Sequence, residues 1–154
     1  MALIRSMSRD DLDAVMRLEA ASAGAPHWER AVYEGFLSQD GPVKQVFVAG
    51  DGVRLAGFVA ARFIVDVCEL ESIVVDAAVR KTGVGKALLA NLVRWARENN
   101  AVRVELEVRA GNDAAICFYE HAGFHRDGLR RGYYRSPEED AVLMSLALDS
   151  GSAA

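Results

Sequence analysis

The chain has 154 residues, of which 51% are apolar and 26% charged, with a formal charge of −4 and a pI of about 5.4. That length and balance suit one globular domain with a substantial core, and they exclude a molecule-wide basic field for holding nucleic acid. No charged-then-apolar leader precedes the first strand, and no apolar run approaches a membrane span.

Two cysteines, Cys68 and Cys117, and three scattered histidines, His27, His121 and His125, match no metal-ligand spacing. The expectation is a reduced, cytoplasmic protein without a metal site.

Taken in chain order, Leu3-Ile4 starts a short strand. Ser8-Arg9-Asp10-Asp11 reads as a capping box ahead of a helix with Leu12, Val15 and Met16 in helical period. Gly24-Ala25-Pro26 breaks that helix, and Trp28 to Leu37 forms a second one. Val43 to Ala49 and Leu55 to Ile64 are strands joined by a tight turn at Asp51-Gly52. Cys68 to Val75 is the next strand, followed by a glycine-rich loop and a long helix to about Asn99.

Val102 to Val108 alternates strictly and reads as a half-buried strand. Asn112 caps a helix over Asp113 to His121, which Gly123 ends. Phe124 to Tyr134 and Ala141 to Leu148 close the chain as strands, with Ser136 to Asp140 as a polar loop between them. Residues 1–148 thus make one α+β domain with a central mixed sheet of seven strands and about four helices, and 149–154 form a frayed tail.

The stretch Arg80-Lys81-Thr82-Gly83-Val84-Gly85-Lys86 follows the apolar run Ile73-Val74-Val75 and opens a helix. A strand, a glycine turn and a helix N-terminus in that order leave backbone N–H groups and a positive dipole end facing outward. Gly83 and Gly85 admit close approach of a bulky pyrophosphate, and Arg80, Lys81 and Lys86 add positive charge. A phosphate-binding Walker loop needs a longer glycine spacing and a hydroxyl after the lysine, where Ala87 stands. A dinucleotide fingerprint needs a third glycine where Leu88 stands. Neither fits. A plain helix-starting turn is the bland alternative.

The pattern Arg-x-x-Gly-x-Gly after a strand resembles the acyl-CoA pyrophosphate loop of the GNAT superfamily of N-acetyltransferases. The resemblance runs from Ile4 to Leu148. It sharpens at Leu106-Glu107-Val108-Arg109 with Asn112, at Phe118-Tyr119-Glu120, and at Arg131-Gly132-Tyr133-Tyr134 followed by Glu139-Asp140-Ala141. These last segments resemble the bacterial ribosomal-protein-alanine branch of that superfamily.

The resemblance implies a three-layer α/β architecture around a mixed, mostly antiparallel sheet. It also implies acetyl-CoA as donor and, as acceptor, a protein N-terminus, the N-terminal alanine of a small-subunit ribosomal protein. Ile73, Val74 and Val75 would offer main-chain donors where two strands splay apart, and Lys81, Thr82, Gly83, Val84, Gly85 and Lys86, with Arg80, would hold the pyrophosphate. Asn112 would cap its helix and also reach the cofactor arm.

Direct acetyl transfer needs a base for the amine and an acid for the departing thiolate. Glu107 shares the polar face of its strand with Arg103, Glu105 and Arg109. Glu105 reads as a solvated charge, whereas Glu107 matches the general base of the resembling branch. Glu71, on the neighbouring strand, is the rival carboxylate. Tyr119 matches the general acid; a phenol with a pKa near 10 is protonated at working pH. Tyr133 and Tyr134 would line the acceptor groove, which requires the strand to bend because adjacent strand residues face opposite ways. Trp28 would wall the other side, with His27 inserted between Pro26 and Trp28.

Three function classes follow: a protein Nα-acetyltransferase, a small-molecule amine acetyltransferase on the same fold, and a non-catalytic acyl-CoA-binding module. The first is favoured, as a monomer or weak dimer with no direct nucleic-acid or membrane partner.

Overall fold

The computed structural model describes residues 3–22, 27–38, 43–51, 54–135 and 137–148. The expected break at Gly24-Ala25-Pro26, together with Gly52, Ser136 and the tail 149–154, lies outside them. The strands are β1 (Leu3–Ser6), β2 (Lys44–Gly50), β3 (Leu55–Ile64), β4 (Val67–Val75), β5 (Arg103–Arg109), β6 (His125–Arg135) and β7 (Glu138–Ala147). The helices are α1 (Leu12–Ala20), α2 (Arg30–Gly35), α3 (Val84–Glu98) and α4 (Asp113–His121). The strands form one sheet in the order β1-β2-β3-β4-β5-β7-β6, antiparallel throughout except where β4 runs parallel to β5.

Local chemistry explains the element ends. The Asp11 carboxylate accepts the Ser8 N–H at 2.7 Å, which fixes the turn leading into α1. The Asn112 side chain accepts the Ala115 N–H at 3.1 Å and caps α4, and Gly123 at φ +101° ends that helix. Two expectations need correction. The second helix spans Arg30–Gly35, so Trp28 precedes it in extended chain and donates its N–H to Glu19 Oε2 at 3.2 Å. The polar stretch read as a loop at 136–140 is mostly strand, because β6 and β7 pair up to Arg135↔Glu138.

The sheet carries a core on each face. Val59 and Ala61 of β3 join α3 and α4 in one apolar cluster, with Leu88, Leu92, Ile116 and Tyr119. Phe58 and Ala60 join Leu12, Val15 and Tyr33 of α1 and α2 in the other. Strand β4 obeys the same alternation until Glu71. Its pairing passes from Ala61↔Leu70 to Ala60↔Ser72, which leaves Glu71 as an extra residue. The bulge reverses the parity. Cys68 and Leu70 face the α3/α4 cluster, but Val74 faces the α1/α2 cluster while Ile73 and Val75 turn to α3.

Beyond the bulge β4 also leaves its parallel partner. The β4–β5 ladder runs from Val67↔Arg103 to Glu69↔Glu105. Past it, β4 continues beside β3 to Val75 and β5 beside β7 to Arg109. The sheet therefore forks, as the splay expected for Ile73-Val74-Val75 requires.

Candidate active site

The fork opens into a cavity of about 640 Å³ on the sheet face that carries α1 and α2. Glu69 and Glu71 line it from β4, Glu105 and Glu107 from β5, Tyr133 and Tyr134 from β6, and Trp28 from the segment before α2. The residues expected to meet the acceptor are thus brought together. Strand parity explains the β5 pair, since Val104, Leu106 and Val108 are taken up by the opposite core.

Both tyrosines reach the cavity because β6 bends. Its pairing jumps from Arg130↔Ala141 to Tyr134↔Glu139, so three residues oppose Asp140 alone. Gly132 takes φ +60° in this bulge, and its N–H donates to Asp140 Oδ1 at 2.8 Å. The two rings then meet edge to face, with centroids 5.0 Å apart.

The two carboxylates have different surroundings. Glu71 is half-buried, with Oε1 at 2.8 Å from Arg62 Nε. Burial raises its carboxyl above the ordinary carboxylate value, partly offset by that guanidinium. Glu107 receives Arg130 Nη1 at 3.4 Å. A hydrogen bond to Glu107, then burial, raises the Tyr133 phenol, and burial pushes Tyr134 up to about 12. Tyr119 is 6% exposed and lies outside the cavity lining, packed against Phe118 and Phe124. Burial raises its phenol as well, and Tyr134 is its next largest influence.

On the other side of the fork, α3 begins at Gly83, which sits at φ +94° with no side chain capping the helix. The first intrahelical bond runs from Ala87 N–H to Gly83 O at 3.0 Å, so the amides of Val84, Gly85 and Lys86 precede the ladder. A Cβ on Gly85 would meet Val75 at 3.4 Å and Phe118 at 3.6 Å, which locates the loop between the end of β4 and α4. Lys81, Thr82 and Lys86 are exposed around it. Arg80 Nε donates to Val75 O at 3.3 Å, and its side chain lines a second cavity beside α1. Asn112 Oδ1 is used by its helix cap; its NH2 group has no protein partner among the described residues.

An open strand edge, uncapped helix amides and exposed lysines fit a pantetheine arm and a pyrophosphate, the two polar parts of coenzyme A. Among the described residues there is no cluster able to hold a metal ion, and no helix is long and apolar enough to cross a membrane.

Sequence reasoning did not single out Arg62, Arg109 or Arg130 as site residues, although Arg62 pairs with Glu71 and the other two line the cavity. Glu139 accepts the Gly111 N–H at 2.6 Å and Arg109 Nη1 at 3.3 Å, and Asp140 accepts the Gly132 N–H at 2.8 Å. The cavity floor is electronegative: the five carboxylates Glu69, Glu71, Glu105, Glu107 and Asp127 stand against Arg109 and Arg130.

Comparison with known proteins agrees with this geometry. Residues 12–124 match the family model described as Acetyltransferase (GNAT) family. The chain is 32% identical to the [ribosomal protein bS18]-alanine N-acetyltransferase of Escherichia coli strain K12, covering 96% of this chain and 99% of that one. The crystal structure of the E. coli ribosomal-protein-S18-alanine enzyme superposes with a TM-score of 0.85 at 30% identity, over 97% and 95% of the two chains. The N-alpha-acetyltransferase RimI of Mycobacterium tuberculosis is 35% identical, over 92% of this chain and 89% of its own. An acetyltransferase from Bacillus anthracis, solved in complex with acetyl coenzyme A, shares the fold at 23% identity, with a TM-score of 0.81 over 96% and 100% of the chains. This chain therefore belongs to the GNAT acetyltransferase family, as an acetyl-CoA-dependent N-acetyltransferase close to the ribosomal-protein-alanine enzymes.

Proposed function

We propose that this enzyme acetylates a protein N-terminal α-amine in the cytoplasm, with the N-terminal alanine of a small-subunit ribosomal protein as its acceptor. The observation that carries the proposal is the fork itself. Glu107 and the tyrosine pair stand at an open, electronegative mouth on one side, and helix amides suited to a pyrophosphate stand on the other.

Bound acetyl-CoA supplies the acetyl group as an activated thioester. Main-chain groups of Ile73, Val74 and Val75 orient the acyl end, and the loop Lys81 to Lys86 with Asn112 holds the phosphate and pantetheine portions. Glu107 takes the proton the amine loses, directly or through a water. Tyr119, kept protonated by burial, supplies a proton to the departing sulfur. Tyr133, Tyr134 and Trp28 pin an extended chain terminus. The carboxylates around them favour a cationic one. An α-amine titrates near 8 against about 10.4 for lysine, so a carboxylate base deprotonates it more readily at neutral pH.

One observation favours a second assignment of the base. Glu71 is the more desolvated carboxylate of the two, and its raised pKa suits proton abstraction.

The test of function is mass spectrometry on three acceptors: peptides beginning with alanine, the same peptides with a blocked N-terminus and an internal lysine, and free polyamines. Acetylation at the α-amine of the first is the expected result. Better turnover of either other class transfers the assignment to a lysine-directed or small-molecule enzyme.

A further inference from the structure

We propose that Glu139 is a positioning residue that ties the acceptor groove to the cofactor end of the fork, so that occupancy of one is felt at the other. This rests on the acetyl-CoA and acceptor assignments above and adds a link between them.

Glu139 sits on β7, directly opposite Tyr134 of β6. Its Oε2 accepts the Gly111 N–H at 2.6 Å, one residue before the Asn112 cap of α4, on the cofactor side. Its Oε1 accepts Arg109 Nη1 at 3.3 Å. The same guanidinium lies 4.3 Å over the Tyr134 ring and also donates to Pro137 O at 3.0 Å. One carboxylate therefore fixes the turn that opens α4 and, through a stacked arginine, the orientation of a groove tyrosine.

The fit is built into the backbone. A Cβ on Gly111 would lie 2.7 Å from Glu139 Oε2, so the carboxylate fills the space a side chain would need and a methyl group there must push it aside. Two charge-assisted bonds hold it there. A shift of the Gly111-Asn112 turn must move Glu139, and with it Arg109 and Tyr134, in a chain of direct contacts.

The test uses the full-length protein with ring-labelled tyrosines, Tyr134 being assigned by Tyr134→Phe. Titration of wild type with CoA should shift the Tyr134 signal and raise affinity for an alanine peptide about fivefold or more, the range of a modest coupling. Glu139→Gln should keep CoA uptake but lose both the Tyr134 shift and the affinity gain. Gly111→Ala, which displaces the carboxylate from the opposite side, and Arg109→Lys, which removes the planar stack, should give the same loss. A purely structural role would lower the unfolding temperature and leave the CoA-induced shift in place.

A Tyr134 shift of wild-type size in Glu139→Gln overturns the coupling, as does wild type that takes up CoA with no shift at all. Wild type that takes up no CoA removes the cofactor assignment and the coupling together. CoA uptake without peptide binding removes only the peptide assignment, and the Tyr134 signal then decides the coupling alone.

Discussion

Glu71 and Glu107 look into one cavity from the two arms of the fork, and each is held by a different guanidinium: Arg62 at 2.8 Å from Glu71 and Arg130 at 3.4 Å from Glu107. Their charges are close enough that Glu107 contributes to raising the Glu71 carboxyl. This proximity makes the identity of the base a question for paired variants. Glu107→Gln should slow turnover by roughly 10²–10⁴-fold with CoA affinity unchanged by calorimetry. Near wild-type turnover in that variant, beside an inactive Glu71→Gln, would give the role to Glu71.

Gly83 separates backbone strain from steric clash. It takes φ +94°, yet no atom lies within 4 Å of where its Cβ would stand. Gly83→Ala should therefore fold, at a cost of about 1 kcal/mol or a little more for the left-handed conformation. For a chain of this size that is a fall of about 2–4 °C in Tm. That methyl group would stand in open space at the start of α3, where we place the pyrophosphate, so CoA affinity should fall much further than stability. Unchanged CoA affinity in the folded variant would remove the loop from the cofactor site.

The clasp between Arg5 and Asp11 predicts an acid-sensitive contribution to stability. Bidentate bonds of 2.7 and 2.8 Å from Arg5 hold the Asp11 carboxyl at about 2, against an ordinary value of 3.8. A depressed native value means stability that is full above about pH 4 and lost as pH falls toward 2. Arg5 is more than half exposed, so the contribution is on the order of 1–2 kcal/mol rather than the full linkage value. The Tm difference between wild type and Asp11→Asn should be largest near pH 7 and shrink below pH 4. A difference independent of pH would show that the clasp contributes packing alone.

Salt should act on the acceptor more than on catalysis. The cavity floor carries more carboxylates than guanidiniums, so a cationic terminus, if that is the acceptor, would be drawn in through a field screened over about 8–10 Å at ordinary ionic strength. Raising salt from low to physiological levels should lower kcat/KM for peptides with basic residues after the terminus and leave kcat nearly constant. A kcat/KM flat in salt would mean that the carboxylates do not steer the substrate.

What the residues announced and what they concealed divide along physical lines. The α4 helix was legible to the residue, because Asn112 and Gly123 mark its ends with side-chain and backbone chemistry that acts locally. The β5 face was legible because its alternation is strict. The bulge at Glu71 was not, since the extra residue is defined only by what β3 places opposite. The β6–β7 hairpin was cut short at Ser136 to Asp140 because charged residues there resemble a loop. Their charges instead bond across to Gly111 and Gly132 from residues that lie within a strand. The sequence demands a bend if Tyr133 and Tyr134 are to share a groove, and the structure supplies it at Gly132. Contacts between distant segments, such as Arg62 with Glu71 or Glu139 with Gly111, leave no trace in the spacing of either partner.

Three residue pairs, Val67↔Arg103 to Glu69↔Glu105, join the two antiparallel halves of the sheet. On one face α3 and α4 lay a shared apolar layer across that join, with side chains drawn from β2 through β7; on the other face the layer beneath α1 and α2 stops at β4. The molecule is a book with a short spine, bound to one cover only. Its shortest ladder lies beside the cavity where we place the chemistry. A molecule lying in the gap would supply rungs that the polypeptide omits and stitch the halves together, so the enzyme should stiffen when it is loaded.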